Sequence, residues 1–137
     1  MEIKEYKGSQ VSSPEKAANI LREILKSENE VDQDKEHFWA MGVNTSNKII
    51  YIELVTLGVL DHAPIEPREV FRFAIMKGVK SIILAHNHPS GELEFSPEDK
   101  RMTAVMIKSG NILNIKILDH ILISSEGYYS KKEGLGE

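Results

Sequence analysis

Ser81-Ile82-Ile83-Leu84-Ala85-His86-Asn87-His88-Pro89-Ser90-Gly91 decides how this chain is read. The first five residues form an apolar run of strand length, and Pro89 ends it, because proline has no N–H to extend a sheet ladder. Alternate strand residues point to the same side. His86 and His88 therefore converge, while Asn87 turns away. Ser90 and Gly91 let the chain turn, and Ser96-Pro97-Glu98-Asp99 opens a helix with Ser96 as N-cap and Asp99 three residues later. That first turn carries the Asp99 carboxylate back toward the strand end. Two imidazoles and one carboxylate, with water in the fourth position, make a catalytic zinc shell. Such an ion lowers the pKa of its bound water to ~7.

The rest of the chain supplies a frame for this segment. Upstream, Pro67 starts a helix with Val70, Phe71, Ala74 and Ile75 facing inward and Gly78 ending it. Further back, Phe38 to Val43 and Ile49 to Leu57 read as strands joined by the turn Asn44-Thr45-Ser46-Asn47. A loop with Gly58, Asp61 and Pro64 follows the second. Before the hairpin, Ser12-Ser13-Pro14-Glu15 starts a helix that carries Ala17, Ile20, Leu21, Ile24 and Leu25 on one face. Glu28 to Asp34 reads as a solvated acidic loop, and Met1 to Gly8 as a short strand or loose chain. Downstream, the helix from Ser96 is expected to stop at Gly110. Ile112 to Leu118 and Ile121 to Ser124 are then two strands, and Gly127 to Glu137 a polar tail. The order α-β-β-α-β-α-β-β predicts an α/β (α+β) fold with a mixed sheet flanked by helices.

At 137 residues the chain is read as one domain, with no repeat and no internal linker. Apolar residues make up 41% and charged residues 28%, the balance of a soluble globular protein. There is no cysteine, which excludes disulfides and thiolate ligands and leaves His, Asp and Glu to hold a metal. A formal charge of −4 gives no electrostatic case for nucleic-acid binding. No stretch reads as a signal peptide or a membrane span, so a cytoplasmic protein is expected.

A hydrolase built on these ligands needs a proton acceptor near the water, commonly a glutamate distant in sequence. Glu36, just before the first hairpin strand, and Glu53, inside the second, both qualify, and spacing does not choose between them. Glu66, Glu92, Glu94 and Glu98 are weaker, because loops and helix starts collect acids. Ser96 and Asp99 also have a plain capping role, compatible with metal binding. His37, His62 and His120 lack paired spacing and are read as structural.

The pattern His86-x-His88-x(7)-Ser96-x-x-Asp99 resembles the JAMM motif of JAB/MPN metalloprotease-like domains, and its form His-Asn-His-Pro-Ser-Gly resembles the RadC branch. Glu36-His37-Phe38-Trp39, Leu57-Gly58-Val59-Leu60, Pro67-Arg68-Glu69-Val70 and Leu118-Asp119-His120-Ile121-Leu122-Ile123 are further points of similarity, over about residues 10–135. The resemblance implies a curved mixed sheet in a cytidine-deaminase-like layout, with one Zn²⁺ per chain on His86, His88 and Asp99. It also implies Glu36 as general acid/base and Ser96 as a stabiliser of the oxyanion. Zinc-bound hydroxide would then attack an amide or isopeptide carbonyl of a peptide or protein substrate, and Glu36 would carry the proton to the leaving amine. Full-length RadC-like proteins often carry an N-terminal helix-hairpin-helix region associated with DNA. This chain has one short helix before the core, so that region is not expected here.

The alternative from the same resemblance is a DNA-repair-associated binding module with a structural or vestigial metal; its link to DNA rests on the family name. A nuclease reading of the letters His-Asn-His fails, because that motif spreads its members over a ββα unit. Zinc deaminases need Cys-x-x-Cys, which is absent.

Overall fold

A computed structural model describes residues 1–58 and 65–134. Among the described residues, a six-stranded sheet has the order β1-β3-β2-β4-β5-β6. Its strands are β1 (Glu2–Ile3), β2 (His37–Val43), β3 (Ile49–Leu57), β4 (Ser81–Asn87), β5 (Lys116–Ser124) and β6 (Gly127–Ser130). The helices are α1 (Pro14–Lys26), α2 (Glu30–Gln33), α3 (Pro67–Lys77), α4 (Pro97–Leu113) and α5 (Lys131–Gly134). The strand β4 lies antiparallel to β2 and parallel to β5, with α4 as the crossover. The sheet is mixed, as the element order predicts, and helices pack on both faces.

Alternation along the strands builds two cores. Trp39, Met41, Ile83, Ala85, Ile121 and Ile123 pack on one face against Ala17, Ala18, Leu21 and Ile24 of α1. Phe38, Ala40, Ile82 and Leu84 pack on the other against Val70, Phe71 and Ala74 of α3 and Met106 of α4. Every residue of β2 is buried, so it reads as a continuous apolar run. His86 extends the α3/α4 face to the carboxyl end of β4, beside the first turn of α4.

Several boundaries differ from the sequence reading. The N-cap of α1 is Ser13, which accepts from Lys16 N, so Pro14 takes the first helical position. One turn of helix, α2, interrupts the acidic loop because the Asn29 side chain caps it. Ile75 is 60% exposed and does not face inward. Helix α4 continues through Gly110 to Leu113 and ends at Asn114, which takes the left-handed conformation itself (φ 60°). Gly110 is a packing glycine: a Cβ there would lie 2.3 Å from the Ile115 carbonyl oxygen. Ile112 and Leu113 are therefore helical, and a single strand β5 runs unbroken through Asp119 and His120. The expected polar tail begins with β6, whose Gly127 pairs with Ser124 across a two-residue turn. The expected loop residues Asp61 and Pro64, with His62, Val59 and Leu60, lie outside the described residues.

Candidate metal centre

The end of β4, the loop after it and the first turn of α4 bring three candidate ligand atoms together. His86 Nε2 and His88 Nε2 are 3.1 Å apart, and Asp99 Oδ2 lies 3.3 Å from the first and 3.2 Å from the second. Among the described residues, His86, His88 and Asp99 form the group of acids and histidines that could hold a metal ion. Metal–ligand distances of 2.0–2.1 Å put the edges of a tetrahedron at about 3.3–3.4 Å. The triangle thus has the dimensions of one tetrahedral face, a donor set of borderline nitrogen and hard oxygen that suits a divalent ion.

Each candidate ligand is held from behind. Ser96 Oγ accepts from Asp99 N at 3.1 Å and Ser96 N donates to Asp99 Oδ2 at 2.9 Å, a reciprocal capping box that fixes the first turn of α4. The capping role and the ligand role fall on the same carboxylate oxygen. His88 Nδ1 pairs with the Glu92 carbonyl at 3.1 Å, which leaves Nε2 directed at the cluster.

His86 is 1% exposed, and its support is a chain of buried polar groups. Nδ1 of His86 lies 2.7 Å from Nε2 of His120, whose Nδ1 lies 2.6 Å from Thr103 Oγ1; that hydroxyl donates to the Asp99 carbonyl at 2.7 Å. One proton arrangement satisfies every member. His86 Nδ1–H donates to His120, His120 Nδ1–H donates to Thr103, and His86 Nε2 keeps its lone pair for a metal. Burial pushes the pKa of His120 well below the usual imidazole range, helped by the neighbouring His86, which keeps the ring neutral as this chain requires. Phe95 (ring centroids 4.7 Å) and Phe38 (5.8 Å) pack against His120 and exclude water behind the cluster. His120, read as structural from its spacing, supports His86 from behind. Only its register in β5, opposite Leu84 one alternation from His86, puts it there.

The ligands also hold one another electrostatically. Burial alone would raise the Asp99 carboxyl, but hydrogen bonds from His86 and His88 outweigh it and hold the group well below the usual carboxylate range. The hydrogen bond to Asp99 pushes the His88 imidazole up, against the opposing effect of burial.

A groove of about 990 Å³ runs past the cluster, lined by His88, Asp99, Ser96 and Glu36, with Ile65, Met102 and Val105 among its apolar wall. Glu36 shares this groove with two of the three ligands. Glu53 does not line it. Its carboxylate pairs with Arg72 of α3 at 3.1 Å and its Oε1 is buried without a hydrogen-bond partner. Of the weaker glutamate candidates, Glu66, Glu92 and Glu98 line the groove. His37 is structural, its ring nitrogens facing the Lys35 carbonyl and the Glu28 carboxylate, both at 2.8 Å.

A mixed sheet that presents His-x-His at a strand end and Ser-x-x-Asp at the following helix start defines a JAB-type domain with a candidate metal site. The RadC-like JAB domain profile matches residues 11–136, and the chain belongs to that family. It is similar to a UPF0758 protein of Desulforudis audaxviator, 40% identical over 91% of this chain and 53% of that protein. A UPF0758 protein of Caldanaerobacter subterraneus is 44% identical over 90% of this chain and 51% of its own length. One from Pelodictyon phaeoclathratiforme is 45% identical over 74% of this chain and 46% of its own length. The chain thus spans about half the length of these curated relatives. Among the described residues, no helix is long and apolar enough to cross a membrane.

Proposed function

We propose that this domain is a zinc-dependent hydrolase of amide or isopeptide bonds in a peptide or protein substrate. The observation that carries the reading is the triangle of His86 Nε2, His88 Nε2 and Asp99 Oδ2, with edges of 3.1–3.3 Å, beside a groove that also holds Glu36 and Ser96. A divalent ion on these ligands supplies water of pKa ~7 and polarises a carbonyl oxygen.

The chain's own residues do the rest. Glu36 takes the proton of the attacking water and delivers it to the leaving nitrogen. Ser96 Oγ accepts from Asp99 N, so its O–H remains to donate to the carbonyl oxygen as negative charge develops there. His120 and Thr103 hold the His86 tautomer.

The groove favours a polypeptide over a polyanion. Its wall carries Asp34, Glu36, Glu66, Glu92, Glu98 and Asp99, while its two cations are already paired, Arg101 with Glu98 and Lys35 with Asp32. A phosphate backbone would meet repulsion along that wall.

Elemental analysis of the purified protein tests the first half of the reading. About one zinc per wild-type chain is expected, lost in His88→Ala. Peptide and isopeptide substrates then test the second half, with Glu36→Gln expected to retain zinc and lose turnover. No zinc in the wild type after zinc is offered, or full turnover in Glu36→Gln, overturns the proposal.

A further inference from the structure

Asn87 stands between two of the metal-ligand candidates but is turned away from them. It is 2% exposed and reaches across the sheet to the start of β2. There its Oδ1 accepts from His37 N at 2.5 Å, and its Nδ2 donates to the Lys35 carbonyl at 3.0 Å. These two backbone groups flank Glu36. The Lys35 carbonyl is also met by the His37 ring at 2.8 Å, and the Glu36 carbonyl accepts from Gly58 N at 2.9 Å. The peptide units on both sides of Glu36 are therefore fixed.

The side chain suits the task. The ladder between β2 and β4 has Phe38 opposite His86 as its last pair. Beyond it the asparagine amide offers one acceptor and one donor, the same pair that a backbone peptide would offer. An aspartate has no donor and a serine or threonine has a shorter arm with one hydroxyl. Buried as it is, the amide bonds are not exchanged for water, and removing one partner leaves the other unsatisfied.

We propose that Asn87 is a positioning residue that sets Glu36 against the metal ligands. It is bonded in sequence to His86 and His88 and hydrogen-bonded to both flanks of Glu36, so one residue holds the acid/base and the ligand pair in a common register. The inference rests on the reading of Glu36 as the group that handles the water's proton.

The test uses Co²⁺ as the probe and protein carrying ¹³C at the glutamate carboxyls. The Glu36 signal is assigned from its loss in Glu36→Gln. In the wild type, Co²⁺ is expected to enhance relaxation of that signal strongly. In Asn87→Ala the visible Co²⁺ spectrum and affinity should stay as in the wild type, which reports an intact ligand set, while the enhancement at Glu36 falls at least threefold. Asn87→Thr, which introduces a β-branched side chain suited to the strand, serves if Asn87→Ala does not fold, with the same fall expected. An unchanged enhancement in a variant that binds Co²⁺ overturns the role of Asn87 and leaves the proposed chemistry standing. No enhancement at Glu36 in the Co²⁺-loaded wild type overturns both, because Glu36 is then not beside the metal.

Discussion

His86 Nδ1 and His120 Nε2 lie 2.7 Å apart, although 34 residues separate them in the chain. The contact is made inside a buried aromatic pocket, so the orientation of the deepest candidate ligand depends on a residue outside the cluster. His120→Ala removes the acceptor of the His86 proton and replaces an oriented ring with a cavity. Metal affinity should fall about 10–100-fold, and competition against a chelator measures it. His120→Gln, which offers an oxygen to the same proton, should recover part of the loss. Wild-type affinity in His120→Ala would show that Phe38 and Phe95 alone orient the ring.

Ser96 and Asp99 are linked in both directions, so Ser96→Ala should act twice. The lost cap costs about 1 kcal/mol of stability, seen as a lower urea midpoint at unchanged slope. It also frees the turn that aims Asp99, so metal-induced stabilisation should shrink in the same variant. Equal metal-induced shifts in wild type and Ser96→Ala would confine the serine to capping.

Glu53 gives a pH dependence remote from the cluster. Burial pushes its carboxyl pKa up, and the hydrogen bond and charge of Arg72 pull it only partly back. A folded-state pKa above the unfolded value of about 4.3 means the native state holds the proton longer. Stability therefore declines as pH rises from the unfolded value through the folded one. Glu53→Gln carries no such titration. Its stability relative to wild type should improve between about pH 4 and about pH 7, compared by denaturant midpoints at both ends. A relative loss on going to the higher pH would mean that the Arg72 pair outweighs the burial.

Gly110→Ala separates helix propensity from packing. In an exposed helix the change gains about 1 kcal/mol. Here the added Cβ meets the Ile115 backbone carbonyl at 2.3 Å, and a backbone atom does not swing aside like a side-chain tip. A net loss of roughly 1–3 kcal/mol is expected from the overpacking, together with displacement of the β5 entry, read by thermal unfolding. A stabilised variant would mean that the α4–β5 corner relaxes freely.

The comparison of sequence with structure divides along the range of the interactions. The ligand triangle was legible because its parts are local: strand alternation sets His86 and His88, and helix capping sets Asp99. The hairpin of β2 and β3 was legible for the same reason, from two apolar runs around a turn cluster. Gly110 misled because a glycine at a helix end and a glycine under a backbone crossing look alike in one dimension, and the true stop, Asn114, is a less usual left-handed residue. Strand β6 was hidden in polar letters, though the Ser125-Glu126 turn and the pair Tyr128-Tyr129 carried a hairpin signal. His120 and Asn87 act across strands, through register that no local pattern states. Resemblance, and not spacing, singled out Glu36 over Glu53; the structure adds that Glu36 lines the groove and that Glu53 is turned to Arg72.

The three ligand candidates occupy one short contiguous segment, whereas Glu36 comes from a different hairpin and is reached through Asn87. Heredity can therefore treat the two parts separately. Under the proposed function, a single substitution at Glu36 or Asn87 would lower turnover while leaving the three ligand candidates and the fold in place. On that reading, metal content in a relative of this chain speaks for its ancestry, and the residues at positions 36 and 87 speak for its trade.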